Sequence, residues 1–176
     1  MNAHIFVDES KRRGFLLAAA VIAPEALGGL RRQVTGLRLP RQRRLHFTAE
    51  SDRRRKVILA AMIEAAGPCV IIYDAAGRRS DREARDLAMA RLVDDAAKIG
   101  AARLVIERDE PAVAGDRRII RDRATLAGCL DTLRYEHRRP HEDCLLAIPD
   151  AAAWCWAKGG DWRHRAGPLV SHVVTV

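Results

Sequence analysis

Phe15 to Ile22 reads Phe-Leu-Leu-Ala-Ala-Ala-Val-Ile, an almost unbroken apolar run. It is far too short to span a bilayer, so it reads as a strand. A strand sends successive side chains to opposite faces, so a run apolar at every position needs cover on both. The run therefore calls for a sheet interior with helices on both faces.

The rest of the chain supplies those elements. A short strand, His4 to Asp8, precedes the run, and Leu45-His46-Phe47 is the expected third strand of a meander. Ser51 or Asp52 caps a helix reaching about Ala66, with Val57, Ile58, Ala61, Met62 and Ala65 at helical spacing, and Gly67-Pro68 stops it. Then come a strand over Val70 to Tyr73, a helix over Asp81 to Ile99 and a strand over Arg103 to Ile106. A helix over Arg117 to Leu130, a strand over Leu133 to Arg138 and a helix over Pro149 to Lys158 complete the pattern. The result is an α/β fold: a three-strand meander, then alternating helices and strands, in one mixed sheet. Residues 1–176 form a single domain, with 159–176 a tail whose apolar end, Leu169 to Val176, docks on the body or on a second copy.

Asp8-Glu9-Ser10 stands at the outlet of the first strand, where a pair of carboxylates is costly unless a cation meets it. Strand alternation turns Glu9 away from Asp8. Three more acids sit at element edges: Glu50 at a helix start, Glu107 at the end of a strand, and Asp150 at the start of the last helix. Ligands of α/β sheets gather at strand carboxyl ends, where such acids converge. Mg²⁺ or Mn²⁺ takes carboxylate oxygens and completes its shell with water and phosphate. His46 is a further candidate at that corner, to position water or relay a proton. Each residue also has a structural role open to it. Asp and Ser favour turns, acids favour helix N-termini, Glu107 adjoins Arg108, and a histidine between Leu45 and Phe47 suits packing.

The net charge of +8 comes mostly from arginine. Arginine's planar fork suits phosphate, although GC-rich coding also enriches Arg and Ala, so composition alone decides nothing. Position says more. Arg38, Arg41, Arg43, Arg44, Arg53 and Arg54 crowd one tract beside the acids, a density suited to holding a nucleic-acid backbone without reading its sequence. A solvated loop and helix face is the other reading. Aromatics are only 5% of the chain, and Trp154, Trp156 and Trp162 read as core, which disfavours a base-stacking single-strand binder. Cys69, Cys129, Cys144 and Cys155 show no Cys-x-x-Cys spacing and read as buried free thiols. With no leader and no membrane span, the chain reads as cytoplasmic and bacterial in style. It contains no phosphate-binding loop, no Gly-x-Ser-x-Gly elbow and no His-Glu-x-x-His.

The strand-end acids resemble those of the ribonuclease H-like fold, in which an Asp on the first strand anchors a metal centre completed by later acids. More narrowly, the opening Phe-Val-Asp-Glu-Ser, the Leu-His-Phe segment and Leu-Leu-Ala-Ile-Pro-Asp-Ala-Ala-Ala-Trp-Cys-Trp resemble an uncharacterised bacterial group, domain-of-unknown-function family thirty-eight hundred. The likeness runs from Ile5 to Lys158. It implies Asp8 as central metal ligand, Asp150 as the late helix acid and Glu107 as a strand-end ligand, with Glu50 or His46 at the remaining corner. Two departures stand out: Lys11 where relatives have Gly, and Pro149 before Asp150, which is expected to start the last helix at the acid.

The leading expectation is a metal-dependent nuclease or related phosphodiester-processing enzyme. Its alternatives are a non-catalytic nucleic-acid-binding module of the same fold, or a protein-interaction domain of a defence or mobile-element system. The apolar tail allows a homo-oligomer, and no membrane partner is expected.

Overall fold

The computed structural model describes residues 2–65, 67 and 69–176. Ala66 and Pro68, on which the expected end and stop of the second helix fall, lie outside the described residues. Six strands, β1 (Ala3–Ser10), β2 (Leu16–Ile22), β3 (Cys69–Asp74), β4 (Ala101–Glu107), β5 (Arg134–Arg138) and β6 (Val170–Thr175), form one sheet in the order β5-β4-β1-β2-β3-β6. β1, β2 and β3 run antiparallel as a meander. β4 lies parallel to β1, and β5 parallel to β4. The helices are α1 (Leu27–Gly36), α2 (Asp52–Glu64), α3 (Asp81–Ile99), α4 (Val113–Leu126), α5 (Ala147–Lys158) and α6 (Gly160–Ala166).

β2 meets the demand its sequence makes. Leu16, Ala18, Ala20 and Ile22 face one core with Trp154 and the alanines of α5, while Leu17 and Ala19 face the other with Met89 and Leu92 of α3. Both halves of the strand are thus buried against helices. The small residues matter as much as the apolar ones. Ala151 and Ala152 of α5 and Ala18 and Ala20 of β2 carry little bulk, so α5 lies close across β1 and β2. Gly14 makes the turn between β1 and β2 possible. Its φ is +94°, and a Cβ there would stand 2.8 Å from that of Ala76.

Several expected boundaries move. Leu45-His46-Phe47 is not a strand; His46 is extended, and a 3-10 turn follows over Phe47–Ala49. The reason is packing. Phe47 packs edge-on against both Trp154 and Trp162, with centroids at 5.4 and 6.3 Å, and its N–H bonds to a side chain rather than to a neighbouring strand. The third strand of the meander is therefore β3. α4 lies about one turn earlier than expected, and α5 begins at Ala147 rather than at Asp150. Pro149 fits inside its first turn because N–H groups there have no helical partner to lose. The tail docks on the body: β6 (Val170–Thr175) pairs parallel with β3. Cys155 is buried, but Cys69 is exposed, with its Sγ 2.8 Å from Ser171 Oγ. No helix among the described residues is long and apolar enough to cross a membrane.

Candidate metal and nucleic-acid site

The register of the parallel pair places the first two acids. Val7 sits beside Ile106, so the next positions, Asp8 and Glu107, come side by side at the carboxyl ends of β1 and β4. Both follow residues of the α5-side core, Phe6 and Val105, so both point to the α5 face. α5 brings the third. Asp150 lies in its first turn, where the helix dipole favours an acid, and one carboxylate oxygen accepts the Phe47 N–H at 2.8 Å. The three acids and His46 line one pocket of about 450 Å³.

The electrostatics of this pocket are unusual for carboxylates on a strongly basic chain. Burial pushes Asp8 well above the ordinary carboxylate value, and the charges of Glu107 and Asp150 push it further, against Arg44 and Arg85. Glu107 is raised as well, by burial and then by Asp150, with Arg44 at 3.9 Å opposing. His46 Nδ1 lies 3.4 Å from the Asp150 carboxylate, and that interaction raises the imidazole despite its partial burial. The acids repel one another and the nearby cations do not neutralise them. Among the described residues, no three His, Cys, Asp or Glu side chains form a ready-made metal cage.

The other expected site residues divide. Glu50 lies outside the pocket; it is buried and takes up the guanidinium of Arg54 at 3.2 Å and the amide of Gln42. Its role is to fasten the loop after α1 to the start of α2. Arg54 also reaches the Leu37 carbonyl at 2.6 Å and is thereby engaged with the protein's own groups. Arg38 is tied to the Thr35 and Arg43 carbonyls. Arg41, Arg43 and Arg53 are exposed and make no ion pair among the described residues, while Arg44 leans over Glu107. Arg108 pairs with Glu110 at 2.8 Å, not with Glu107.

Trp154, Arg12 and Arg85 also line the pocket, none of them a site residue expected from the sequence. Trp154 falls one helical turn after Asp150, so their shared face was readable from spacing. Its ring lies under Arg55, 4.4 Å from centroid, and under Arg12 at 5.9 Å, within cation–π range. Arg12, in the turn after β1, also lines the pocket. Arg85 lines it from α3, and nothing in the alternating charges of that helix marked it as buried.

A scan against protein-family models finds no match, and neither does a search of curated proteins. Among solved structures the chain is similar to that of the PCNA:RNase HII complex from Archaeoglobus fulgidus. The match has a TM-score of 0.57 at 12% identity, over 89% of this chain and 73% of that one. At that identity the likeness is one of fold.

Proposed function

We propose that this chain is a divalent-metal-dependent nuclease of ribonuclease H-like fold, and a member of domain-of-unknown-function family thirty-eight hundred. The observation that supports it is the meeting of Asp8, Glu107 and Asp150 in one pocket, where Asp8 and Glu107 hold their protons more tightly than ordinary carboxyls. The donor set fits a hard cation, since all three groups offer carboxylate oxygens and no cysteine among the described residues lines the pocket. Asp8 and Glu107, with the Asp150 oxygen not taken by Phe47, would hold Mg²⁺ or Mn²⁺. Such an ion supplies an activated water and a clamp for a phosphodiester.

The protein's own groups do the rest. Asp150 holds the His46 ring at the pocket wall, where it exchanges a proton with water or with the departing oxygen. Arg41, Arg43 and Arg53 offer exposed cations to a phosphate backbone beside the pocket, and their contribution falls as salt rises. The test is cleavage of labelled DNA, RNA and hybrid duplex with Mg²⁺ or Mn²⁺ by wild type and Asp8→Asn. The reading expects metal-dependent cleavage that drops to background in the variant. Undiminished cleavage by Asp8→Asn overturns it.

One observation favours a second reading, a nucleic-acid-binding module without turnover. The acids do not form a ready-made cage among the described residues, and one Asp150 oxygen is already bonded to Phe47. This reading expects salt-sensitive binding that divalent ions do not stimulate and that Asp8→Asn leaves unchanged.

A further inference from the structure

On the face of β1 opposite Asp8, and reaching the same pocket through Glu9, Lys11, Arg85 and Asp109, lies a charged cluster that the proposed chemistry does not use. Arg85 of α3 grips Asp116 of α4 with two nitrogens, Nε to Oδ1 and Nη2 to Oδ2, both at 2.8 Å. Its remaining nitrogen meets the Glu9 carboxylate. His137 of β5 closes the far end, with Nε2 2.9 Å from Asp116 Oδ2. At the near end Lys11 spans Glu9 at 2.8 Å and Asp109 at 3.3 Å. The side chains of Arg85, Asp116 and His137 are 7%, 1% and 4% exposed, so water screens none of them.

Such a cluster is a poor way to gain stability, because desolvating its charges costs about as much as their pairing returns. It does fix geometry. The cluster ties β1, α3, α4 and β5 together at the level of the strand ends that open on the pocket. Glu9 is the residue after Asp8, and alternation sets the two on opposite faces of one short piece of backbone. Clamping Glu9 therefore fixes the rotation of the strand end that aims Asp8.

We propose that Arg85 is a positioning residue: through Glu9 it sets the carboxyl end of β1 so that Asp8 stands in the pocket, with Asp116 and His137 holding Arg85 in place. The consequence for metal binding and cleavage rests on the nuclease reading, whereas the brace on β1 does not.

The experiment compares wild type, Glu9→Gln, His137→Gln and Arg85→Lys by three readouts. These are amide hydrogen exchange at Asp8 to Ser10, Mn²⁺ affinity by calorimetry, and kcat separated from KM. In Glu9→Gln, exchange at Glu9 and Ser10 is expected to rise about 10-fold, while that of β3 stays as in wild type. Mn²⁺ affinity is expected to fall about 10-fold, and kcat about 10- to 100-fold with KM unchanged. Arg85→Lys, which keeps the charge but not the fork, should fall between wild type and Glu9→Gln, and His137→Gln should change all three readouts least.

Unchanged exchange at Asp8 to Ser10 in Glu9→Gln overturns the brace. Faster exchange with Mn²⁺ affinity and kcat intact reduces the cluster to a structural role and overturns the positioning claim. A wild type that neither binds Mn²⁺ nor cleaves sinks the nuclease reading instead, and the exchange at β1 then decides the brace by itself.

Discussion

On one face of the end of β1, Asp8 shares a pocket with Glu107 and Asp150, and burial with like charge drives its acidity down. On the other face, Glu9 belongs to a cluster in which each buried acid has a cation against it. Asp116 shows the contrast best. Burial pushes it up, as it does Asp8, but the hydrogen bonds from Arg85 and His137 outweigh burial and hold it below the ordinary carboxylate value. The residue type is the same and burial pushes both upward; partners decide the sign. A cluster that satisfies itself can serve the fold alone. One that leaves its carboxylates in mutual repulsion makes sense when something cationic from outside completes it.

The largest effect expected from breaking this contrast lies on the paired side. Arg85→Met takes from Glu9 and Asp116 the buried cation they share, leaving only Lys11 and His137 beside them, and should cost about 3–5 kcal/mol, read as a lower urea midpoint. A loss near zero would mean that the two faces do not differ as described. Asp8→Asn should act in the opposite direction and raise stability at neutral pH by about 1–2 kcal/mol, because it removes a carboxylate held against its neighbours. The pH dependence follows from the same shift. A carboxyl raised in the folded state counts against the fold once it can ionise, so the gain should vanish as pH falls below about 4, where Asp8 is protonated folded or unfolded. Asp116, depressed in the folded state, supports the fold above the ordinary carboxylate range and loses that contribution as pH falls through its lowered value.

The smallest effect belongs to His46. Its raised value means that pairing with Asp150 adds stability fully present below about pH 6.5 and lost as pH rises through the folded value. With the ring 41% exposed, the difference between wild type and His46→Gln should stay under about 1 kcal/mol. A difference that grows with rising pH would contradict the assignment.

Much of the frame was legible because it rests on period and punctuation. The run Phe15 to Ile22 required two covered faces and has them, and the helix over Asp81 to Ile99 ends at Gly100, whose φ is +68°. What escaped depends on contacts distant in sequence. Leu45-His46-Phe47 has the composition of a strand, but Phe47 gains more by packing against the two tryptophans than by pairing its backbone. Pro149 suggested a helix beginning at Asp150, yet a 3-10 turn over Cys144–Leu146 lets α5 begin earlier.

The site divides in the same way. Asp8 and Glu107 could be read as strand-end acids, and parallel register then makes them neighbours. Glu50 looked equivalent from its position at an element edge, but Arg54 and Gln42 satisfy it in place. Arg85 was invisible because a buried arginine differs from a solvated one only in its partners, which lie at Glu9 and Asp116.

The central claim is that the acids on the α5 face of β1 await a cation. It is tested most directly by thermal unfolding of wild type and Asp8→Asn with and without saturating Mn²⁺. Ligand that binds only the folded state raises its stability, so wild type should melt higher with Mn²⁺. Asp8→Asn should melt above wild type without the ion and gain little from it. An equal Mn²⁺ shift in both proteins, or none in wild type, would contradict the account.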